Sequence, residues 1–227
     1  MSERIRFGSR TGEQIVGALA TPAGAAKVPA VIVVHEWWGL NDHIAGIADR
    51  WAGEGFLALA VDLYRGVVAK PGDADTARGL MTGLDSGRAT ADLQGAVDFL
   101  ATHPRCTGAV VVSGYCMGGA LSLRLAAARP GLACAVPFYG VPQNVALEQV
   151  GCPVQLHVAQ HDEWVTPALA DRTAAALRAG GAAVEVHTYD AQHAFCNDTR
   201  PEVYDAAAAA AAWAAAVRFA REHASAT

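Results

Sequence analysis

The sequence predicts an α/β fold, a mostly parallel central sheet with helices on both faces, built as a single domain over residues 1–227. Three observations carry this. From residue 30 onward, short runs rich in Val, Ile and Leu alternate with stretches of helical spacing, the pattern of a parallel sheet with right-handed crossovers. Those runs are solidly apolar rather than alternating, which suits strands covered on both sides. Hydrophobic residues make up 52% of the 227 and charged residues only 17%, so a chain of this size can bury a large core without staples.

The elements follow in order. Arg4–Phe7 and Gln14–Leu19 flank the turn signal Thr11-Gly12 and read as an antiparallel hairpin. Pro22–Pro29 is a loop, and Ala30–His35 is the first buried strand. Asp42–Gly53 has helical spacing, with Ile44, Ile47, Ala48 and Trp51 on one face. Phe56–Val61 is the next strand, and helices are expected over Ala74–Leu84 and Ala89–Leu100. Strand Gly108–Ser113 leads into helix Met117–Ala128. Strands Ala133–Phe138, Val154–Ala159 and Ala183–Tyr189 and helices Pro167–Ala179 and Pro201–His223 complete the chain. No repeat, linker or separate lid domain is evident, and ligands in such sheets bind at the carboxyl ends of the strands.

Charge and cysteine content exclude several classes. The formal charge of −5 carries no run of like charges, so a nucleic-acid partner is not expected. No apolar stretch is long enough to span a bilayer. The alanine run Ala206–Ala216 follows Asp205, is interrupted by Trp213, and reads as a surface helix. Met1-Ser-Glu-Arg-Ile-Arg lacks the apolar core of a signal peptide, so a cytoplasmic, monomeric protein is expected. Five cysteines without a C-x-x-C pair do not suggest a disulfide framework.

The chemistry is concentrated at Cys116. Val110-Val111-Val112-Ser113 runs into Gly114-Tyr115-Cys116-Met117-Gly118, the strand–turn–helix setting of the G-x-S-x-G nucleophile elbow with Cys in place of Ser. A nucleophile on so sharp a turn needs small neighbours two residues away, and glycine stands at both. The helix that follows presents its positive end to a thiolate. Cys106, Cys134 and Cys152 have no such setting and read as buried core thiols.

A nucleophile–acid–histidine chain order selects Asp162 and His193, each just after a strand. An imidazole can take the thiol proton, and a carboxylate can fix the imidazole tautomer. Glu163 is a rival acid, and Asp162 could instead cap the helix starting near Pro167. His157 and His161 sit on one strand end without an HExxH helix, so no metal is expected. His35, His43, His103, His187 and His223 read as structural or solvent-facing.

These residues resemble the dienelactone hydrolases of the α/β-hydrolase superfamily. The likeness rests on Val33-Val34-His35-Glu36-Trp37-Trp38-Gly39-Leu40-Asn41, Asp62-Leu63-Tyr64, Gly114-Tyr115-Cys116-Met117-Gly118-Gly119, Phe138-Tyr139-Gly140-Val141, Asp162 and His193-Ala194-Phe195. The resemblance implies a compact hydrolase without metal or organic cofactor that opens a small lactone or ester. It assigns Glu36 to hold the resting thiol and accept its proton. It assigns the backbone N–H groups of Trp37 and Met117 to the oxyanion. Glu36 ends a buried apolar strand, where an unpaired carboxylate is costly; a purely structural hydrogen-bonding role is the other reading. Trp38, Arg78, Tyr139 and Asn197 are the candidate substrate contacts. Here the chain departs from the family, which grips a substrate carboxylate with arginines. One of them would stand four residues after the histidine, at Asn197. The other falls around Ala74, with Arg78 and Arg88 nearby. The competing readings are a general carboxylesterase or thioesterase, and a non-catalytic ligand-binding or redox-responsive thiol protein.

Overall fold

The computed structural model describes residues 1–70 and 72–225. Eight strands form one sheet: β1 Glu3–Gly8, β2 Gln14–Ala20, β3 Val28–Val34, β4 Leu57–Val61, β5 Cys106–Tyr115, β6 Cys134–Phe138, β7 Val154–His161 and β8 Val184–Gln192. Their spatial order is β1-β2-β4-β3-β5-β6-β7-β8. The hairpin β1–β2 joins β4 antiparallel, and all pairs from β4 to β8 are parallel. The helices are α1 Asp42–Gly53, α2 Ala74–Gly83, α3 Ser86–Thr102, α4 Met117–Ala128, α5 Pro167–Ala179 and α6 Ala206–Ala224.

The solid apolar runs are buried on both faces. In β3, Ala30, Ile32 and Val34 join the core packed by Leu93 and Leu100 of α3, Leu121 and Leu125 of α4, and Leu177 of α5. Val31 and Val33 point to the opposite core, against Ile44 and Trp51 of α1 and Phe219 of α6. The period-two alternation of a strand thus feeds two cores at once.

Helix starts follow side-chain caps. Asn41, Asp73, Asp85, Thr166 and Asp205 each accept a backbone N–H three residues on. Two expected boundaries shift for this reason. Asp85 starts α3 at Ser86 rather than Ala89, and Asp205 starts α6 at Ala206 rather than Pro201. The alanine run is also more than a surface helix, because Ala212, Ala216, Val217, Phe219 and Ala220 are buried in the second core.

The strand order reverses at β3, which lies between β4 and β5. A crevice outside the carboxyl ends of β3 and β5 is the site such a switch point provides. Glu36 follows β3 and Cys116 follows β5. Ala77 of α2 packs with Trp38, and Leu80 lies against them. The helix therefore leans on this rim, and among the described residues no element forms a separate lid.

Candidate active site

The β5–α4 junction is a tight elbow. Cys116 has φ 55° and ψ −117°, a conformation L residues avoid. It is held by its own N–H donating to the Phe138 carbonyl (3.0 Å) and its carbonyl accepting from Gly119 N (2.9 Å). A Cβ at Gly114 would collide with the Gly118 carbonyl, and one at Gly118 with the Val34 carbonyl. Both glycines are thus required by backbone contact. Cys116 makes no side-chain cap bond to α4, so its sulfur is left at the positive end of the helix.

The sulfur meets His193. Cys116 Sγ lies 3.2 Å from His193 Nε2, and His193 Nδ1 lies 2.7 Å from Asp162 Oδ2. The other carboxylate oxygen, Oδ1, accepts the N–H groups of Trp164 (2.8 Å) and Val165 (2.9 Å). Asp162 is 5% exposed. Glu163, the rival acid, is exposed, and Thr166 rather than Asp162 caps α5. Burial disfavours charge on both partners, yet their pairing outweighs it. Asp162 is depressed below the usual carboxylate range by His193 and the two backbone donors. Burial lowers the His193 pKa, but the hydrogen bonds and charges of Asp162 and Cys116 raise it overall to about 10.

Glu36 is 2% exposed. One oxygen accepts from Asn197 Nδ2 at 2.6 Å and the other from the Tyr139 hydroxyl at 3.3 Å. The partners of Glu36 are therefore an amide and a phenol, while the Cys116 sulfur rests against His193. Asn197, expected to contact substrate, is 1% exposed, and its Oδ1 accepts the Thr199 N–H and hydroxyl. Its hydrogen bonds serve Glu36 and its own turn. Tyr139 also lies inside, at 1% exposure and φ 38°. Its ring sits edge-on to His193 at 5.3 Å and to Phe195 at 5.4 Å. Burial, and then the charge of Glu36, push its phenol well above the ordinary value.

Trp37 and Trp38 stack edge to face at 5.1 Å on the loop after β3, with Trp37 half-buried and Trp38 buried. Arg78 stands apart. It lies on the outer face of α2, is mostly exposed, and pairs with Asp75 at 3.4 Å. Arg200 is the guanidinium nearest to Trp38 among the described ring contacts, 5.9 Å from the ring centroid, and pairs with Glu202 at 2.8 Å. Among the described residues, no group of three His, Cys, Asp or Glu side chains could hold a metal ion. His157 is instead enclosed between Tyr189 and Gln155, and His161 pairs with Asp190. Among the described residues, no helix is long and apolar enough to cross a membrane.

Sequence reasoning missed two features. A cavity of about 180 Å³ opens beside Met117, lined by Met81, Leu84, Leu121, Val141 and Pro142, with Arg124 on its wall. Its walls come from α2, α4 and the loop after β6, so no local motif announces it. The Tyr139–Glu36–Asn197 bridge joins three loops that are distant in sequence, so no local pattern announces it.

The comparisons with known proteins bear on the family and the fold. The model of the dienelactone hydrolase family matches residues 15–224. The chain is 37% identical to Protein usf of Aquifex pyrophilus, over 98% of this chain and 99% of that one. It is 32% identical to a carboxymethylenebutenolidase of Pseudomonas sp. strain P51, over 88% and 87%. A dienelactone hydrolase-like promiscuous phosphotriesterase from metagenomic libraries superposes with TM-score 0.85 at 25% identity, covering 98% of both chains. The chain belongs to the dienelactone hydrolase family and is a carboxylic-ester hydrolase of the α/β-hydrolase fold.

Proposed function

We propose that the protein hydrolyses small, uncharged lactones or esters through an acyl-cysteine intermediate at Cys116. The observation that carries this is the continuous chain Cys116 Sγ–His193–Asp162, at 3.2 and 2.7 Å. His193, whose pairing with Asp162 and Cys116 favours the imidazolium, holds the proton taken from the thiol, and the Cys116 sulfur attacks the carbonyl. The backbone N–H groups of Trp37, on the loop after β3, and Met117, at the start of α4, receive the tetrahedral oxyanion. Collapse to the thioester expels the alkoxide, which His193 protonates. His193 then deprotonates a water that releases the acid. Asp162 holds the imidazole tautomer throughout. Glu36 is a second buried carboxylate, held by Asn197 and by Tyr139, whose ring packs edge-on to His193.

The preference for uncharged substrates rests on the cations. Asn197 is committed to Glu36, and Arg78 is paired on the outer face of α2. The cavity beside Met117 is lined mainly by apolar side chains, with the Arg124 guanidinium on its wall donating to the Gln143 carbonyl at 3.4 Å; its apolar part suits an acyl or alkyl group of a few carbons.

The test is hydrolysis of p-nitrophenyl acetate with mass spectrometry of the quenched enzyme. A burst of nitrophenolate and a Cys116-acetylated peptide are expected. Cys116→Ala should retain the fold and lose turnover by about 10⁴-fold or more. Near wild-type turnover in that variant would refute the covalent mechanism. A general thioesterase reading is separated by faster turnover of an acyl thioester than of lactones and aryl esters.

A further inference from the structure

Tyr64 carries a chemical group that the Cys116–His193–Asp162 relay leaves idle. It follows β4 in the segment Asp62-Leu63-Tyr64 and is 7% exposed. Its hydroxyl donates to the Met117 sulfur at 3.3 Å. Met117 is the residue after the nucleophile, and a thioether is a weak acceptor. A buried phenol normally finds a strong partner, so this donor is held close to the elbow on a contact that costs little to give up.

The segment is built to hold the ring there. Asp62 Oδ1 accepts the Tyr64 N–H at 3.0 Å, and Oδ2 accepts the Gly66 N–H at 2.6 Å. The Leu63 N–H donates to His35 Nε2 at 3.3 Å, and His35 Nδ1 bonds the Glu36 carbonyl at 2.5 Å. That pattern requires a neutral His35 carrying its proton on Nδ1, and burial lowers the His35 pKa accordingly. The His35 and Tyr64 rings pack at 4.8 Å. Gly39, at φ 93°, lies so near the ring that a Cβ there would meet Tyr64 Cδ2 at 3.2 Å. The next residue, Arg65, is at φ 56° and is pinned by Asp92 (2.7 Å) and Glu13 (2.9 Å). The phenol is thus clamped between the loop that carries Trp37 and the first residue of α4.

On the acyl-cysteine reading, those two elements bear the backbone N–H groups assigned to the substrate oxygen. The geometry points to Tyr64 as a third donor of the oxyanion site, its hydroxyl moving from the Met117 sulfur to the substrate carbonyl oxygen as negative charge develops there. The inference rests on the acyl-cysteine reading. The phenol stays protonated through the cycle and donates a hydrogen bond only; its pKa is raised by burial and then by the Cys116 charge.

The experiment compares wild type and Tyr64→Phe on p-nitrophenyl acetate and on its thiono analogue, in which sulfur replaces the carbonyl oxygen and accepts hydrogen bonds poorly. Phenylalanine keeps the ring packing, so the thermal midpoint and the alkylation rate of Cys116 by iodoacetamide should be unchanged. The acylation rate on the oxygen ester should fall by about a hundredfold, while the thiono ester should lose far less. An equal loss on both esters would assign Tyr64 to structure and overturn the proposal, and so would no loss on either. Failure of the acyl-cysteine reading is recognised separately, by the absence of the burst and of the acetylated Cys116 peptide in wild type.

Discussion

At the scale of single residues, the site turns on how three side chains share protons. His193 shows the balance most directly. Burial alone would lower its pKa, and the Asp162 and Cys116 contacts reverse the sign and lift it to about 10. Because the folded value lies above the ordinary 6.5, the stabilising contribution of the imidazolium is fully present below that value and is gone once pH has risen through about 10. Asp162 acts in the opposite sense, contributing above its ordinary 3.8 and losing that contribution as pH falls through its depressed folded value. The imidazole resonances of His193 should therefore titrate near pH 10 by NMR. In Cys116→Ala the midpoint should move down, since one hydrogen bond and one charge are removed. An unmoved midpoint would mean that Asp162 alone sets the value. The meeting of Cys116, Asp162 and His193 was legible because each follows a strand at the same end of the sheet. The partners of Glu36 were not legible, because Tyr139 and Asn197 lie 103 and 161 residues away in sequence.

At the scale of elements, the strand–elbow–helix unit and the helix caps do different work. The elbow is fixed by backbone contact, so its glycines have no tolerance. Gly118→Ala would drive a Cβ into the Val34 carbonyl at the end of β3, a rigid partner, and should destabilise by about 1–3 kcal/mol or more while disturbing the Cys116 geometry. Asp205→Ala, far from the elbow, removes only the α6 cap bond to Ala208 (2.8 Å) and should cost about 0.5–2 kcal/mol with unchanged kcat/KM. Urea denaturation and ester kinetics on the two variants check the contrast. The same distinction explains which boundaries could be read from sequence. Helices Asp42–Gly53, Met117–Ala128 and Pro167–Ala179 were placed to the residue, since a cap or an elbow marks each start. Hydrophobic periodicity placed the starts of α3 and α6 three residues too late and five too early, because Asp85 and Asp205 decide them. The pairing of β2 with β4 depends on which edge of the sheet the hairpin joins, and local sequence carries no such information.

At the scale of the whole molecule, the question is which substrate this arrangement of charge admits. The formal charge is −5, and the buried ionisable groups at the crevice include two carboxylates, Glu36 and Asp162. An anionic substrate would need a cation to offset them. The position expected to supply one holds Asn197, whose amide is spent on Glu36. Arg78 projects from the outer face of α2, mostly exposed and beside Asp75, where screening leaves a pair worth little. A charge-assisted contact to a substrate carboxylate would contribute about 1.5–3 kcal/mol, or about ten- to a hundredfold in kcat/KM. Arg78→Ala should therefore leave kcat/KM unchanged for both a neutral aryl ester and a carboxylated dienelactone, and the neutral ester should be the better substrate of wild type. A selective rise in KM for the acidic lactone in Arg78→Ala would place that arginine in the substrate site. α2 would then have to turn inward when substrate binds, and a carboxylated lactone would become the favoured substrate.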